Sequence, residues 1–314
     1  MSTRLGKLEN RYKHVLAAVF GETGMKVTLI GLGKMGSVLA QRLLDANFEL
    51  TVFNRTREKM QPLITMGAKG ASSLEDAVTG KELIITSLLD DNAVLQTVDG
   101  FIHFMKPGAI HLGTSTILPE TSKQLTTLHD KHGLIYIAGN VLGVPKAAAR
   151  GELTTIAAGS AEAIEQCRPV FNAYSTKIIT AGSMPYQANV IKICMNYLLV
   201  STIETMGELY TFAEKSQVDT GILNTLFHSV FAHPAFQLYV DKIKERNFDE
   251  VNFDLKGGFK DLNLFQQALT NAQVVPHIAN IIKDKFIIAL AHHLEEKDWS
   301  AVTEITRLQA NILN

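Results

Sequence analysis

The chain has 314 residues, a formal net charge of −1, 46% hydrophobic and 19% charged residues; at about 100–200 residues per domain this suits two globular domains, with no charge excess to draw them to nucleic acid or an anionic membrane. The two cysteines, Cys167 and Cys194, cannot build a disulfide framework and indicate a reducing compartment. No apolar run approaches the ~20 residues that span a bilayer, and Leu16–Phe20 is shorter than a signal-peptide core of about 7–15 residues, so the cytoplasm is the expected location.

Residues 1–24 read as an N-terminal extension that closes on Gly-Glu-Thr-Gly: either a surface helix or an upstream-extended reading frame with Met25 as the true start. From Met25 to about Gly182, short runs rich in Val, Ile and Leu predict strands at Val27–Ile30, Leu50–Phe53, Leu83–Ile85, Ala109–Leu112, Leu134–Ile137, Leu153–Ala158 and Thr176–Ala181. Helical stretches such as Ser37–Ala46, Ser73–Val78 and Ala161–Phe171 separate them. This alternation predicts a doubly wound α/β Rossmann domain over residues 25–186. After Pro185 the strand signals stop. Helices are expected at 187–216, Gly221–Phe231, Pro234–Glu245, Phe259–Asn271, Pro276–His293 and Ser300–Ile312, an all-α C-terminal domain over 187–314. The first of these begins apolar around its whole circumference (Val190, Ile191, Ile193, Cys194, Met195, Leu198, Leu199), the pattern of a buried helix, and Cys194 reads as a small core residue.

Between the first strand and helix stands Gly31-Leu32-Gly33-Lys34-Met35-Gly36, a G-x-G-x-x-G turn. Gly31 permits the tight turn, Gly33 admits a diphosphate, and Gly36 lets helix pack on strand; the helix N-terminus then offers backbone N–H groups and a partial positive charge. The second strand ends in Asn54-Arg55-Thr56, without the acid that would accept from a ribose 2′-hydroxyl. Arg55 suits a 2′-phosphate, with donors added by Thr56 and Arg57, so NADP is favoured and NAD is the alternative.

Four motifs together make the chain resemble the β-hydroxyacid dehydrogenases, the family that includes 3-hydroxyisobutyrate dehydrogenase and the glyoxylate and succinic semialdehyde reductases. They are Gly31–Gly36, Gly113-Thr114-Ser115-Thr116 with Pro119, Lys192-Ile193-Cys194-Met195-Asn196, and Lys260-Asp261-Leu262 with Asp298-Trp299-Ser300-Ala301. The resemblance implies a C-terminal domain like that of 6-phosphogluconate dehydrogenase, a homodimer or homotetramer, and catalysis in a cleft between domains. It implies that Lys192 and Asn196 are catalytic, that Thr116 lines the nicotinamide ribose, that Leu88 and Leu89 lie over the cofactor, and that Lys260 reaches cofactor or substrate. Thr116, Leu142, Gly143, Lys192 and Asn196 are the implied substrate contacts. Two departures stand out. Gly113 replaces the family's Asp, and Leu142, within Gly139-Asn140-Val141-Leu142-Gly143-Val144-Pro145, replaces the Ser that holds a substrate carboxylate. Backbone N–H groups near Gly143 still suit an anion, while a more apolar substrate fits equally.

The residues around Lys192 agree with a chemical role. Its helical neighbours Ala188, Asn189, Met195 and Asn196 include no acid, so burial would push the amine toward neutrality, as a proton donor and acceptor near neutral pH requires. Asn196, one turn on, either orients Lys192 or holds the substrate oxygen. Asp90 and Asp91 are expected to cap the next helix, His228 and His233 flank Phe231, and His292-His293 reads as a polar helix end rather than a metal site. The expected function is interconversion of a small β-hydroxyacid or alcohol with its semialdehyde or carbonyl form by hydride transfer. The alternatives are an imine reductase-like enzyme and a catalytically silent NADP-binding interaction module.

Overall fold

The computed structural model describes residues 25–312, so the extension read over 1–24 lies outside the described residues. The chain divides into two compact units after Lys192, six residues beyond the domain boundary expected at 186/187 and inside a helix.

The first unit is built on an eight-stranded sheet. Its strands are β1 (Lys26–Ile30), β2 (Glu49–Phe53), β3 (Lys69–Gly70), β4 (Leu83–Thr86), β5 (Ile110–Gly113), β6 (Ile135–Leu142), β7 (Leu153–Ala158) and β8 (Ser175–Gly182). They lie in the order β3-β2-β1-β4-β5-β6-β7-β8, which reverses direction between β1 and β4, where an open α/β sheet leaves a crevice at its carboxyl edge. Neighbours are parallel except β6 and β7, which pair antiparallel. The helices between are α1 (Lys34–Asp45), α2 (Gln61–Thr65), α3 (Leu74–Val78), α4 (Asp91–Asp99), α5 (Pro119–Lys131), α6 (Pro145–Ala149) and α7 (Ala161–Tyr174).

Both faces of the sheet are covered, which is why the central strands read as unbroken apolar runs. In β4, Leu83 and Ile85 enter one core with Leu29, Leu39 and Leu43, while Ile84 enters the other with Ile30, Val98 and Phe101. Each such side chain removed from water contributes roughly 1.5–3 kcal/mol before entropy is counted.

The second unit is helical, apart from an isolated bridge between Asp254 and Asp298. Helix α8 (Tyr186–Lys215) runs through the boundary into it, followed by α9 (Thr220–Val230), α10 (Pro234–Glu245), α11 (Leu255–Asn271), α12 (His277–Ala291), a 3-10 turn at Trp299–Val302 and α13 (Thr303–Gln309). Its core gathers Tyr239, Phe265, Phe286 and Trp299, the indole donating to the Tyr239 hydroxyl at 2.8 Å. The Asp298-Trp299-Ser300-Ala301 motif is part of this scaffold. Asp298 is wholly buried and accepts from the Asn252 amide and the Ser300 hydroxyl.

Two expectations are overturned here. Helix α8 is not buried all round: Val190, Ile191, Met195 and Leu198 are 38–51% exposed, and Cys194 is exposed rather than a core residue. An all-round apolar pattern reports side chains that avoid water, and it reads the same whether they pack in a core or lack a partner within one chain. No described helix is long and apolar enough to cross a membrane.

Candidate active site

The glycine turn after β1 has three positions with three different requirements. Gly31 sits at φ +98°, and a Cβ there would stand 2.3 Å from the Ser87 carbonyl oxygen; only glycine meets both conditions. A Cβ on Gly36 would come within 2.0 Å of the Gly31 carbonyl oxygen, so α1 lies hard against the turn. At Gly33 a Cβ would meet nothing within 4 Å. Gly33 is also the N-cap of α1, with no side-chain cap and no acid in the first turn, whereas α3, α4 and α7 are capped by Ser73, Asp90 and Ser160. An exposed hollow at an uncapped helix N-terminus is a place for an anion, and these residues fit a dinucleotide diphosphate, with the backbone of Leu32, Lys34 and Met35 around it.

Asn54 has a structural task. Its Oδ1 accepts from the buried Leu32 amide at 2.9 Å and its Nδ2 donates to the Thr56 carbonyl at 2.9 Å, so it ties the turn to the end of β2. Arg55 and Thr56 are exposed beside it.

The carboxyl ends of β4, β5 and β6 are laced together next to this turn. Ser87 donates to the Ile30 carbonyl, and the Leu88 amide donates to Ser115 Oγ at 2.8 Å. Both the amide and the hydroxyl of Thr114 donate to the Thr86 carbonyl at 2.9 Å. Asn140 Nδ2 donates to the Ser115 carbonyl at 2.9 Å, and Lys192 Nζ donates to the Val141 carbonyl at 2.8 Å. Lys192 is half-buried rather than fully buried. Its partner is a backbone oxygen 51 residues away, outside any i±4 reading of the helix. Thr116, Leu88 and Leu142 are half-buried, Gly143 is exposed, and Leu89 is 68% exposed. Gly143 has φ +132°, and a Cβ there would strike Leu153, so the turn itself demands glycine.

Asp90 caps α4 as expected, accepting from the Ala93 amide at 2.8 Å. Asp91 does not; it accepts from the Leu118 amide and steadies the loop after Thr116. The missing acid at Gly113 is explained by Tyr136, whose hydroxyl stands 2.7 Å from where a Gly113 Cβ would be.

In the second unit, Asn196 Nδ2 donates to Asp261 Oδ2 at 3.0 Å, and Lys260 Nζ lies 2.6 Å from Asp261 Oδ1. Asp261 is 3% exposed, and a carboxylate that deep requires these compensating donors. His228 pairs with Asp241 at 2.6 Å, and His233 caps α10. His292 closes α12, and among the described residues no group of three His, Cys, Asp or Glu could hold a metal.

A buried pair, His111 and His129, neighbours the site and carried no signal in the sequence. Ser115 and Asn140 were quoted only within longer motifs, and their mutual hydrogen bond was not legible there.

Two family models match the chain: the NAD binding domain of 6-phosphogluconate dehydrogenase over residues 26–182, and the NAD-binding domain of NADP-dependent 3-hydroxyisobutyrate dehydrogenase over residues 187–306. The chain is similar to the uncharacterized oxidoreductase YfjR of Bacillus subtilis, 34% identical over 88% of this chain and 98% of that one. It is also similar to an NAD-dependent L-serine dehydrogenase of Pseudomonas aeruginosa, 28% identical over 89% and 97% of the two chains. A solved 3-hydroxyisobutyrate dehydrogenase from Salmonella typhimurium shares the fold, with a TM-score of 0.80 at 22% identity over 90% of this chain and 99% of that one. Glycine turn, lysine helix and whole-chain similarity agree, and the chain belongs to the β-hydroxyacid dehydrogenase family of NAD(P)-dependent oxidoreductases.

Proposed function

We propose that the protein uses NADP(H) to interconvert a small β-hydroxyacid or alcohol with its semialdehyde or carbonyl form, with Lys192 as proton donor and acceptor. One observation carries this reading: an unbroken path of neighbours from Gly31 to Ser87, through Leu88, Ser115 and Asn140, to the Val141 carbonyl that holds Lys192 Nζ. It ties the anion hollow to a tethered amine within one unit.

A nicotinamide, when held here, would supply the hydride chemistry at the substrate carbon. Gly31–Gly36 would hold the diphosphate, and Thr116 and Leu88 would border the ring. Arg55, exposed at the end of β2 where Asn54 rather than an acid follows the strand, supports NADP over NAD, because guanidinium pairs with a 2′-phosphate. In reduction, Lys192 gives a proton to the oxygen as negative charge develops there; in oxidation it takes the hydroxyl proton. Asn196, held by Asp261, orients Lys192 or the substrate oxygen. Leu142 offers an apolar contact where a carboxylate-binding hydroxyl is absent, so recognition of an acid group falls to backbone N–H groups. Relatives named L-serine dehydrogenase and glyoxylate/succinic semialdehyde reductase support a short, polar substrate.

The second unit supports a homodimer or homotetramer. Helix α9 has no buried side chain, yet it carries Ile222, Leu226 and Val230 at 56–71% exposure, with Phe212 of α8 at 71%. Surfaces of this kind mark protein interfaces.

The test is NADPH oxidation across short semialdehydes, keto acids and cyclic imines. Lys192→Ala should lower turnover by about 10²–10⁴-fold while NADPH affinity stays within about twofold. Retained turnover would remove the lysine from the chemistry. Turnover of cyclic imines alone would favour the imine reductase reading, and none with any substrate the silent module.

A further inference from the structure

We propose that the buried imidazole pair His111–His129 is a positioning device: it fixes Thr86, the residue from which the Thr114–Thr116 segment hangs. The proposal rests on the reading that this segment borders the cofactor.

Both imidazoles are 0% exposed, and no carboxylate pairs with either. Three short contacts link them in a line. Thr86 Oγ1 lies 2.9 Å from His111 Nε2, His111 Nδ1 lies 2.9 Å from His129 Nε2, and His129 Nδ1 lies 2.7 Å from the Leu125 carbonyl oxygen. Burial pushes His111 well below the usual imidazole range. It pushes His129 down to about 4, with the Leu125 carbonyl and Asp130 opposing and His132 adding to the effect. Each ring is therefore neutral near neutral pH and carries one N–H.

The direction of every bond follows. A carbonyl only accepts, so His129 holds its proton on Nδ1 and accepts on Nε2. His111 must then donate from Nδ1, which leaves its Nε2 to accept from the Thr86 hydroxyl. The relay sets a single orientation for Thr86 at the end of β4. The carbonyl of that same residue receives both the amide and the hydroxyl of Thr114.

A second contact acts on the start of the segment. The Tyr136 ring packs against His111 and His129 at centroid distances of 5.2 and 5.3 Å, and its hydroxyl fills the space a Gly113 side chain would need. Apolar residues could fill this volume, but they would leave the Thr86 rotamer undetermined. A fully satisfied polar line in a low-dielectric interior determines it.

Thr86→Val keeps the β-branched shape and removes only the hydroxyl; Thr86→Ser keeps the hydroxyl. In the full-length protein, amide hydrogen exchange at Thr114 should speed about tenfold in Thr86→Val and stay at the native rate in Thr86→Ser, with β1 and β2 amides unchanged. Turnover should fall about tenfold in the first variant only, because small displacements beside the reacting atoms are costly. Equal exchange and turnover in the two variants, or faster exchange throughout the sheet in Thr86→Val, would overturn the proposal. Faster exchange at Thr114 with unchanged turnover would uphold the relay and instead sink the assignment of the segment to the active site. A measurement on the native protein stands apart from any folding defect: imidazole ¹⁵N shifts should report both rings neutral with the proton on Nδ1, and an Nε2–H or charged His129 would overturn the proposal.

Discussion

The two units treat their apolar residues differently. In the first, the central strands are sealed on both faces, and Val27, Leu29, Leu83 and Ile84 are wholly buried. In the second, Phe212, Ile222, Leu226, Val230, Val275 and Ile281 are each more than half exposed, although the sequence there is just as apolar. The first unit completes its own core and keeps its irregular positions at the proposed cofactor turn: a glycine with an open hollow, a helix without a side-chain cap. The second leaves apolar helical faces open to water, the faces that the proposed self-association would cover.

The contrast breaks most readily at the exposed helices. Ile222→Lys combined with Phe212→Lys should convert an oligomer to monomers, measured by light scattering, and make the melting temperature independent of protein concentration. An unchanged oligomer would show that another surface holds the subunits. The glycine turn offers the opposite case. Gly36→Ala should destabilise the first unit by about 1–3 kcal/mol, because its Cβ meets backbone. Gly33→Glu, in open space, should leave thermal unfolding nearly unchanged and weaken NADPH binding by about 100-fold, seen by fluorescence titration.

The sealed core also predicts an acid sensitivity. The folded-state pKa values of His111 and His129 lie below the ordinary imidazole value of 6.5, so the unfolded chain binds more protons once pH falls below that value. Stability is then complete above about pH 6.5. It declines toward pH 4 by roughly 1.4 kcal/mol per pH unit for each ring. Denaturant titrations of a His111→Phe/His129→Leu variant should lose most of this slope. The smallest effect expected is at Arg55→Ala, which should weaken NADPH about tenfold and NADH hardly at all.

Much of the fold was readable because β-branched apolar runs and turn residues mark buried parallel strands. Leu153–Ala158 and Pro234–Glu245 were located to the residue. The edge strand Lys69–Gly70 escaped because two residues carry no periodicity, and the antiparallel pairing of β6 with β7 because strand direction leaves no trace in composition. The site followed the same divide. The glycine turn was legible as a local pattern, whereas Lys192 was singled out through the resemblance of its Lys-x-x-x-Asn spacing. The Asp91–Leu118 bond, the Asn140–Ser115 bond and the histidine relay join residues 27, 25 and 18 positions apart, and no local pattern records which distant groups a fold brings into contact.

Strand β6 outruns its parallel neighbour. Gly113 ends β5 opposite Ala138, and the residues from Gly139 to Leu142 continue alone on that side while β7 grips them on the other. Leu142 thus projects from a braced ledge rather than a loose loop. Exchanging that single side chain would leave the backbone beneath it in place, held by its pairing with β7.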